Sequence, residues 1–236
     1  IAQVERSLQH LEGRKARTAD GVHDLLRDLG ALTLPALAER YEGEQALAQV
    51  LAELTAHWRA ISVDIHGVPH WLAAEDLSRY RDALGVIPPG GVPEAFLEPV
   101  PNPLGDLVGR FARTRGPFCT AEAAARFGLG LRVAADVLSR LAVDGKLVRG
   151  EFTDAPTDSP GAEQWCDAGV LRVLRRRSLA ALRADVRDAI EAFAGGTAAQ
   201  DEPAAEQRLR GVRHGSSPSM PRRPMPRRPC RQRCHS

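Results

Sequence analysis

Apolar positions along this chain recur first at helical spacing and then at strand spacing, and that change happens twice. In the first pass Val22, Leu25, Leu26 and Leu29 share one face of a helix that Thr18 or Asp20 starts and Gly30 ends. Thr33 and Pro35 then open a second helix running to about Tyr41, a capping oxygen followed by proline in the first turn. Gly43 separates it from a third, Glu44–Trp58, in which Leu47, Val50, Leu51, Leu54 and Trp58 form a stripe at i, i+3, i+4, i+7 and i+11. The period next drops to two. Ile61, Val63 and Ile65 alternate with Ser62, Asp64 and His66, Gly67 turns a hairpin, Trp71 sits on the return strand and Glu75–Leu84 is helical again.

The second pass opens with an amphipathic helix over Gly105–Arg115, carrying Leu107, Val108 and Phe111 on its buried face and ended by Gly116-Pro117. Thr120 is placed to cap Ala121–Phe127, and Gly128 and Gly130 break that helix. Leu131–Val143 follows, with Val133, Val137, Leu138 and Leu141 on one side, and Asp144-Gly145 turns the chain. Lys146–Phe152 and Glu163–Asp167 read as strands around a polar loop, Thr153–Ala162. Helix, helix-turn-helix and hairpin is the winged-helix order, so the expected class is mainly α with small β wings (α+β): two tandem winged-helix modules. Gly30…Thr33 answers Gly116…Thr120, and Trp71 answers Trp165. The expected role of both tryptophans is to plug the module cores; stacking on a nucleobase is the alternative.

The segments outside the modules divide as follows. Residues 1–17 carry Val4, Leu8 and Leu11 at helical spacing and read as the end of a helical element whose partners lie upstream. Modules at 18–85 and 104–167 flank a stiff linker, 86–103, rich in proline, in which Ala95, Phe96 and Leu97 are expected to dock on a neighbour. Residues 168–194 form an amphipathic helix with a dense basic face, on which Arg175, Arg176 and Arg177 are followed by no acid until Asp185. From 195 to 236 periodicity is lost, Arg and Pro take over, and disorder is expected.

Charge refines this picture. The formal net charge of +2 averages an acidic body with a tail that carries no Asp or Glu from Arg208 onward. A nucleic-acid surface in the body must therefore be a local patch. From its start at Ile1 rather than Met the chain is expected to be a fragment or processed product; no secretory signal is evident and no run approaches the roughly 18 apolar residues of a membrane span, so a cytoplasmic, nucleoid-associated location is expected. Cys119 and Cys166 are expected to be free thiols in folded segments. Cys230, Cys234 and His235 lack a second ligand pair at zinc-finger spacing. His57, His66 and His70 read as surface histidines, and Asp154, Asp158 and Glu163 as a polar loop tip. No phosphate-cradling loop ending in Gly-Lys-Ser/Thr and no G-x-S-x-G is present, so neither a catalytic residue nor a metal site is expected.

A set of strings in fixed order carries a resemblance. Asp20-Gly-Val-His-Asp-Leu-Leu, Trp71-Leu-Ala-Ala-Glu-Asp, Arg79-Tyr-Arg-Asp-Ala-Leu-Gly and Ala95-Phe-Leu-Glu-Pro-Val come first. Arg110-Phe-Ala-Arg-Thr-Arg-Gly-Pro-Phe, Val148-Arg-Gly-Glu-Phe, Trp165-Cys-Asp and Leu171-Arg-Val-Leu-Arg-Arg-Arg-Ser-Leu follow. Over about Leu8 to Arg187 the chain resembles the region downstream of the motor in Lhr-type helicases, the large helicase-related proteins of superfamily 2. The resemblance implies ATP-dependent 3′-to-5′ translocation on single-stranded DNA, unwinding that includes RNA:DNA hybrids, and a part in DNA repair. ATP and Mg are expected in the RecA-like motor domains, which this chain lacks and which would be its partners, and not in the chain itself. Beyond Arg187 the resemblance fades.

Two functional classes then compete. In the first, the chain is a non-catalytic nucleic-acid-binding region. Its phosphate contacts come from Arg132, Arg140, Lys146, Arg149, Arg172, Arg175, Arg176, Arg177 and Arg183, and Trp71 and Trp165 are the candidates for base stacking. Sequence specificity is not expected. The first third helix offers Gln45, Gln49 and Glu53, and the second Arg132, Asp136, Ser139 and Arg140. In the second class the modules dock on motor domains or subunits and the arginines serve that interface; a free-standing transcription regulator is a weaker variant.

Overall fold

Two tryptophan-centred strand pairings, 94 positions apart in the sequence, organise the structure. In this computed structural model, which describes residues 1–153 and 163–198, Trp71 bridges Leu32 through reciprocal backbone bonds of 2.7 and 2.8 Å. Trp165 pairs with Phe118 in the same antiparallel sense. Each tryptophan is the anchor of one helix–helix–helix–hairpin module, and the architecture is α+β.

In the first module α2 (Ala19–Leu29) is capped by Thr18, whose hydroxyl accepts from the Gly21 N–H at 3.1 Å, and it ends at Gly30 in a positive-φ conformation. Thr33 caps α3 (Leu34–Glu39), with proline in its first turn. The third helix, α4 (Leu47–Ala56), is shorter than the apolar stripe predicts: it buries Val50, Leu51 and Leu54 and stops before Trp58, whose φ of 53° turns the chain toward the sheet. Strands β1 (Ala60–Ile65) and β2 (Val68–Ala73) pair in register, Ser62 opposite Trp71, and a 3-10 turn leads into α5 (Leu77–Leu84).

The second module repeats the order with α6 (Pro103–Arg113), α7 (Thr120–Phe127) and α8 (Leu131–Val143). Its sheet has three strands, β3 (Phe118–Cys119), β4 (Leu147–Gly150) and β5 (Gln164–Asp167), with β5 in the middle. The N-cap of α7 is Cys119, not Thr120: the Cys119 N–H donates to the Glu122 carboxylate at 2.7 Å. Cys119 is therefore the counterpart of Thr33. Thr120 has another task, its hydroxyl accepting from the Trp165 indole N–H at 3.0 Å. On α8, Ala134 rather than Val133 joins Val137, Leu138 and Leu141 in the core, and Val133 is 47% exposed.

Beside a cluster of its own around Leu25, Leu26, Val50 and Leu54, the first module shares a core with the second. One apolar cluster runs from Ile61, Leu72, Leu77 and Tyr80 of the first into Leu107, Phe111, Phe118 and Leu138 of the second, and Phe96 and Leu97 of the linker pack on it. Phe111 meets Phe118 and Phe127 edge-on, with ring centroids 5.1 and 5.6 Å apart, an arrangement worth about 0.5–1.5 kcal/mol per pair beyond area burial. Polar contacts cross the same junction. Arg110 forks onto Asp76, the Arg126 guanidinium donates to the Ala31 carbonyl at 2.6 Å, and His66 reaches the Phe127 carbonyl at 3.1 Å.

The N-terminal helix α1 (Ala2–Leu8) packs against distant parts of this chain. Val4 is buried with Cys166, Val170, Leu171 and Leu174, so this helix closes onto the end of the second module and the start of α9 (Ala168–Ala198). Helix α9 also extends past the point where the sequence loses periodicity, to Ala198. The wing loop 154–162 and the Arg/Pro-rich tail from 199 lie outside the described residues, and with them Asp154, Asp158, Cys230 and Cys234.

Candidate nucleic-acid interface

The basic positions singled out by sequence sit on α8, on and beside β4, and on α9. Arg132 and Arg140 lie on α8, on the side away from Val137, Leu138 and Leu141, and both are exposed. Arg140 donates back to the Asp136 carbonyl at 3.3 Å. The chain then turns through Asp144-Gly145, and Lys146 and Arg149 are exposed on and beside β4. The Lys146 carbonyl accepts from the Ala168 N–H at 3.0 Å, which fixes the first residue of α9 beside the β4 edge. Asp167 caps that helix, its carboxylate accepting from the Gly169 and Val170 N–H groups at 2.8 and 3.0 Å.

Helix geometry sorts the arginines of α9. At about 100° per residue, Arg172, Arg176 and Arg183 fall within about 40° of one another and Arg175 about 60° to one side, whereas Arg177 points about 140° away from Arg172. All five are exposed, and among the described residues none of them enters an ion pair. Leu171 and Leu174 hold the opposite side of the helix in the small cluster with Val4. The wing charges differ. Arg149 pairs with Glu163 at 2.5 Å, and Lys146 stands 3.9 Å from the Asp144 carboxylate. Their cationic charge is partly offset, so the unpaired basic surface centres on α8 and α9.

The two tryptophans differ in exposure. Trp165 is 3% exposed, its indole N–H is taken by Thr120, and it belongs to the shared core, which corrects its candidacy as a stacking platform. Trp71 is half-buried against the core of the first module. The histidines divide as well: His57 and His66 are exposed, whereas His70 is buried at 8% with its Nδ1 2.8 Å from the Val68 carbonyl, so it is not a surface residue. Among the described residues no group of three or more His, Cys, Asp or Glu side chains is placed to hold a metal ion. Cys166 is fully buried, and burial pushes its thiol up to about 11, the reverse of an activated nucleophile. Among the described residues no helix is long and apolar enough to cross a membrane.

Sequence reasoning passed over the basic run Arg14-Lys15-Ala16-Arg17. These residues, with Arg27 and Arg79, line a groove on the first module. Most of that charge is spent locally: Lys15 and Arg17 on Glu42, Arg27 on Glu75, and Arg79 on Asp76 and Asp106. The run itself was the signal, and only the carboxylates opposite it decide that the groove is nearly balanced. Exposed Gln45 ahead of α4, and Gln49 and Glu53 on it, add no cation, so the first module is the less basic of the two.

Comparison with known proteins supports the winged-helix reading of the fold. A family described as "Large helicase-related protein, winged-helix domain" matches residues 1–99. A relative from Mycolicibacterium smegmatis, named Lhr helicase/probable uracil glycosylase, is 56% identical over 187 residues, covering 79% of this chain and 12% of that protein. The Escherichia coli Lhr helicase/uracil glycosylase is 35% identical over 189 residues, with the same coverage of 79% and 12%. The chain thus spans about an eighth of the length of the curated relatives it matches. Tandem helix–helix–helix–hairpin modules, a family match that covers the first of them and identity extending through the second place this chain in the large helicase-related (Lhr) family, as a winged-helix region of it.

Proposed function

We propose that this winged-helix region is the non-catalytic part of an Lhr-type helicase that holds the nucleic-acid backbone while separate RecA-like motors, with ATP and Mg, translocate along the strand. The observation that carries the reading is the exposed face of Arg172, Arg175, Arg176 and Arg183 on α9, unpaired among the described residues and continuous along the chain with Arg140 and Lys146. Arginine forks suit phosphate oxygens, and backbone contacts of this kind position a strand without reading its sequence. The partner is single-stranded DNA or an RNA:DNA hybrid, the setting is DNA repair, and the location is the cytoplasm and nucleoid. Trp71 keeps enough exposure to flank such a strand.

The test is binding of the chain to labelled single-stranded DNA across a salt series. With about four phosphates of a single strand neutralised, log K against log salt has a slope of about −3. Reversing Arg175, Arg176 and Arg177 to Glu removes that salt-sensitive binding. Affinity that does not change with salt, or that survives the triple reversal, rejects the reading.

One observation favours a second reading, docking on a motor domain or subunit. On α9, Leu179, 54% exposed, lies within about 40° of Arg172 and Arg183, and Leu182, 59% exposed, within about 20° of Arg175. In that case the triple reversal leaves DNA binding untouched and abolishes co-purification with the motor fragment.

A further inference from the structure

A cavity of about 170 Å³ lies where the two modules join, within the shared core and apart from the arginines of α8 and α9. Its wall includes Thr33, His70, Tyr80, Arg110, Arg115 and Arg126. Three guanidinium groups around so small a space are unusual, because taking charge out of water is costly unless it is paired.

The pairing is incomplete. Arg110 is bound to Asp76, and that carboxylate is shared with Arg79, 3.0 Å away. Arg126 spends one N–H on the Ala31 carbonyl and, among the described residues, enters no ion pair. The Arg115 guanidinium carbon lies 3.6 Å above the Phe111 ring centroid, and the Arg115 Nε–H is buried with no hydrogen-bond partner. Burial holds the Arg115 guanidinium below the ordinary arginine range, and Arg126 pushes the same way. Glu5 and Glu122 oppose that shift without entering an ion pair with it among the described residues. The Tyr80 hydroxyl accepts from the Ala31 N–H at 2.7 Å, so its own proton faces elsewhere.

We propose that this cavity binds a small tetrahedral oxyanion, either inorganic phosphate or the terminal phosphate of a nucleotide or oligonucleotide. The space takes several waters at ~30 Å³ each, and so one such anion. Water would accept hydrogen bonds there but would leave the surplus positive charge uncompensated. A phosphate supplies both acceptor oxygens and charge, and two arginine forks match its oxygens. Bound, it would bridge Arg126 of α7 and Arg115 after α6, and so brace the module junction.

The test is thermal unfolding of the full chain in millimolar phosphate against chloride at equal ionic strength, with R115Q and R126Q alongside. An anion that binds the folded state alone raises the midpoint, by about 2–4 °C per kcal/mol for a chain of this size. The expected result is a rise in the parent and at least a tenfold loss of apparent phosphate affinity in each variant. Equal rises in all three, or none in the parent, overturn the proposal. Should R115Q fail to fold, R115K keeps the charge and loses the fork, and is expected to bind phosphate more weakly than the parent; unchanged affinity in R115K overturns the proposal. Oligonucleotides with a 5′-phosphate or a 5′-hydroxyl separate the sources. A preference for the phosphorylated end that R115Q abolishes assigns the strand terminus, and binding of the free ion without that preference assigns inorganic phosphate.

Discussion

Asp76, buried at 2% exposure at the start of α5, accepts a fork of two hydrogen bonds from Arg110 of α6, one of them at 2.9 Å, and so ties the first module to the second. Removing one partner leaves the other as an uncompensated interior charge. Asp76→Ala is expected to cost about 3–5 kcal/mol, read as a fall in the urea midpoint, whereas Asp76→Asn combined with Arg110→Met recovers much of that loss. Because the apolar core is shared across the junction, both proteins are expected to unfold in one transition rather than module by module.

The Tyr80 hydroxyl serves the same junction by satisfying the buried Ala31 amide at 2.7 Å. Tyr80→Phe keeps the ring and strands that N–H. A cost of about 1–3 kcal/mol is expected, with faster exchange of the Ala31 amide in hydrogen-exchange NMR. A smaller effect on stability with unchanged exchange would mean that water replaces the hydroxyl.

Gly128 ends α7 at φ +62°, and a Cβ there would clash with the His66 ring. Gly128→Ala must displace His66 from the Phe127 carbonyl as well as strain the backbone. The backbone part alone costs about 1–2 kcal/mol, so the variant is expected to unfold at lower urea, and His66→Ala in the same chain should remove the steric share.

On α9 the direction of each side chain matters more than its presence in the Arg175–Arg177 run. Arg176 shares a face with Arg172 and Arg183, and Arg177 does not. R176Q is expected to weaken binding to single-stranded DNA and to reduce the salt slope by about 0.7. R177Q is expected to change both less. Equal losses would place the contact surface elsewhere on the helix.

Cys166 gives a pH dependence with a definite sign. Burial raises its folded-state value to about 11, above the unfolded thiol. The folded state therefore holds the proton more tightly, and the associated stability is present below the unfolded value and lost as pH rises toward 11. At pH 8, alkylation followed by peptide mass spectrometry is expected to modify half-buried Cys119 well before Cys166, and Cys166→Ala should flatten the stability loss between about pH 9 and 11.

How much of this was legible in the chain varies with the range of the interaction. The apolar period gave the limits of α8, and the capping residues gave the starts of α2 and α3, because those signals act within a turn or two of helix. Thr120 was misread as a cap because a hydroxyl next to a helix start looks the same whether it serves the local N–H or a distant indole. Val133 was misread because a stripe of four apolar positions does not say which of two neighbouring positions the rest of the protein will cover. Strand β3 has two residues and no period at all, and it exists because Trp165 pairs with it.

The sequence by itself determined the two helix–helix–helix–hairpin modules, their order, the basic character of α9 and the family strings, since each is written in local spacing and residue type. The tertiary structure alone decided that the modules share a core across their junction, that α1 packs against the start of α9, which arginines are spent on carboxylates, and that Arg110, Arg115 and Arg126 surround one cavity. Those outcomes depend on which distant faces meet and on how much charge each contact leaves unpaired, and a hydrophobic period carries information about neither.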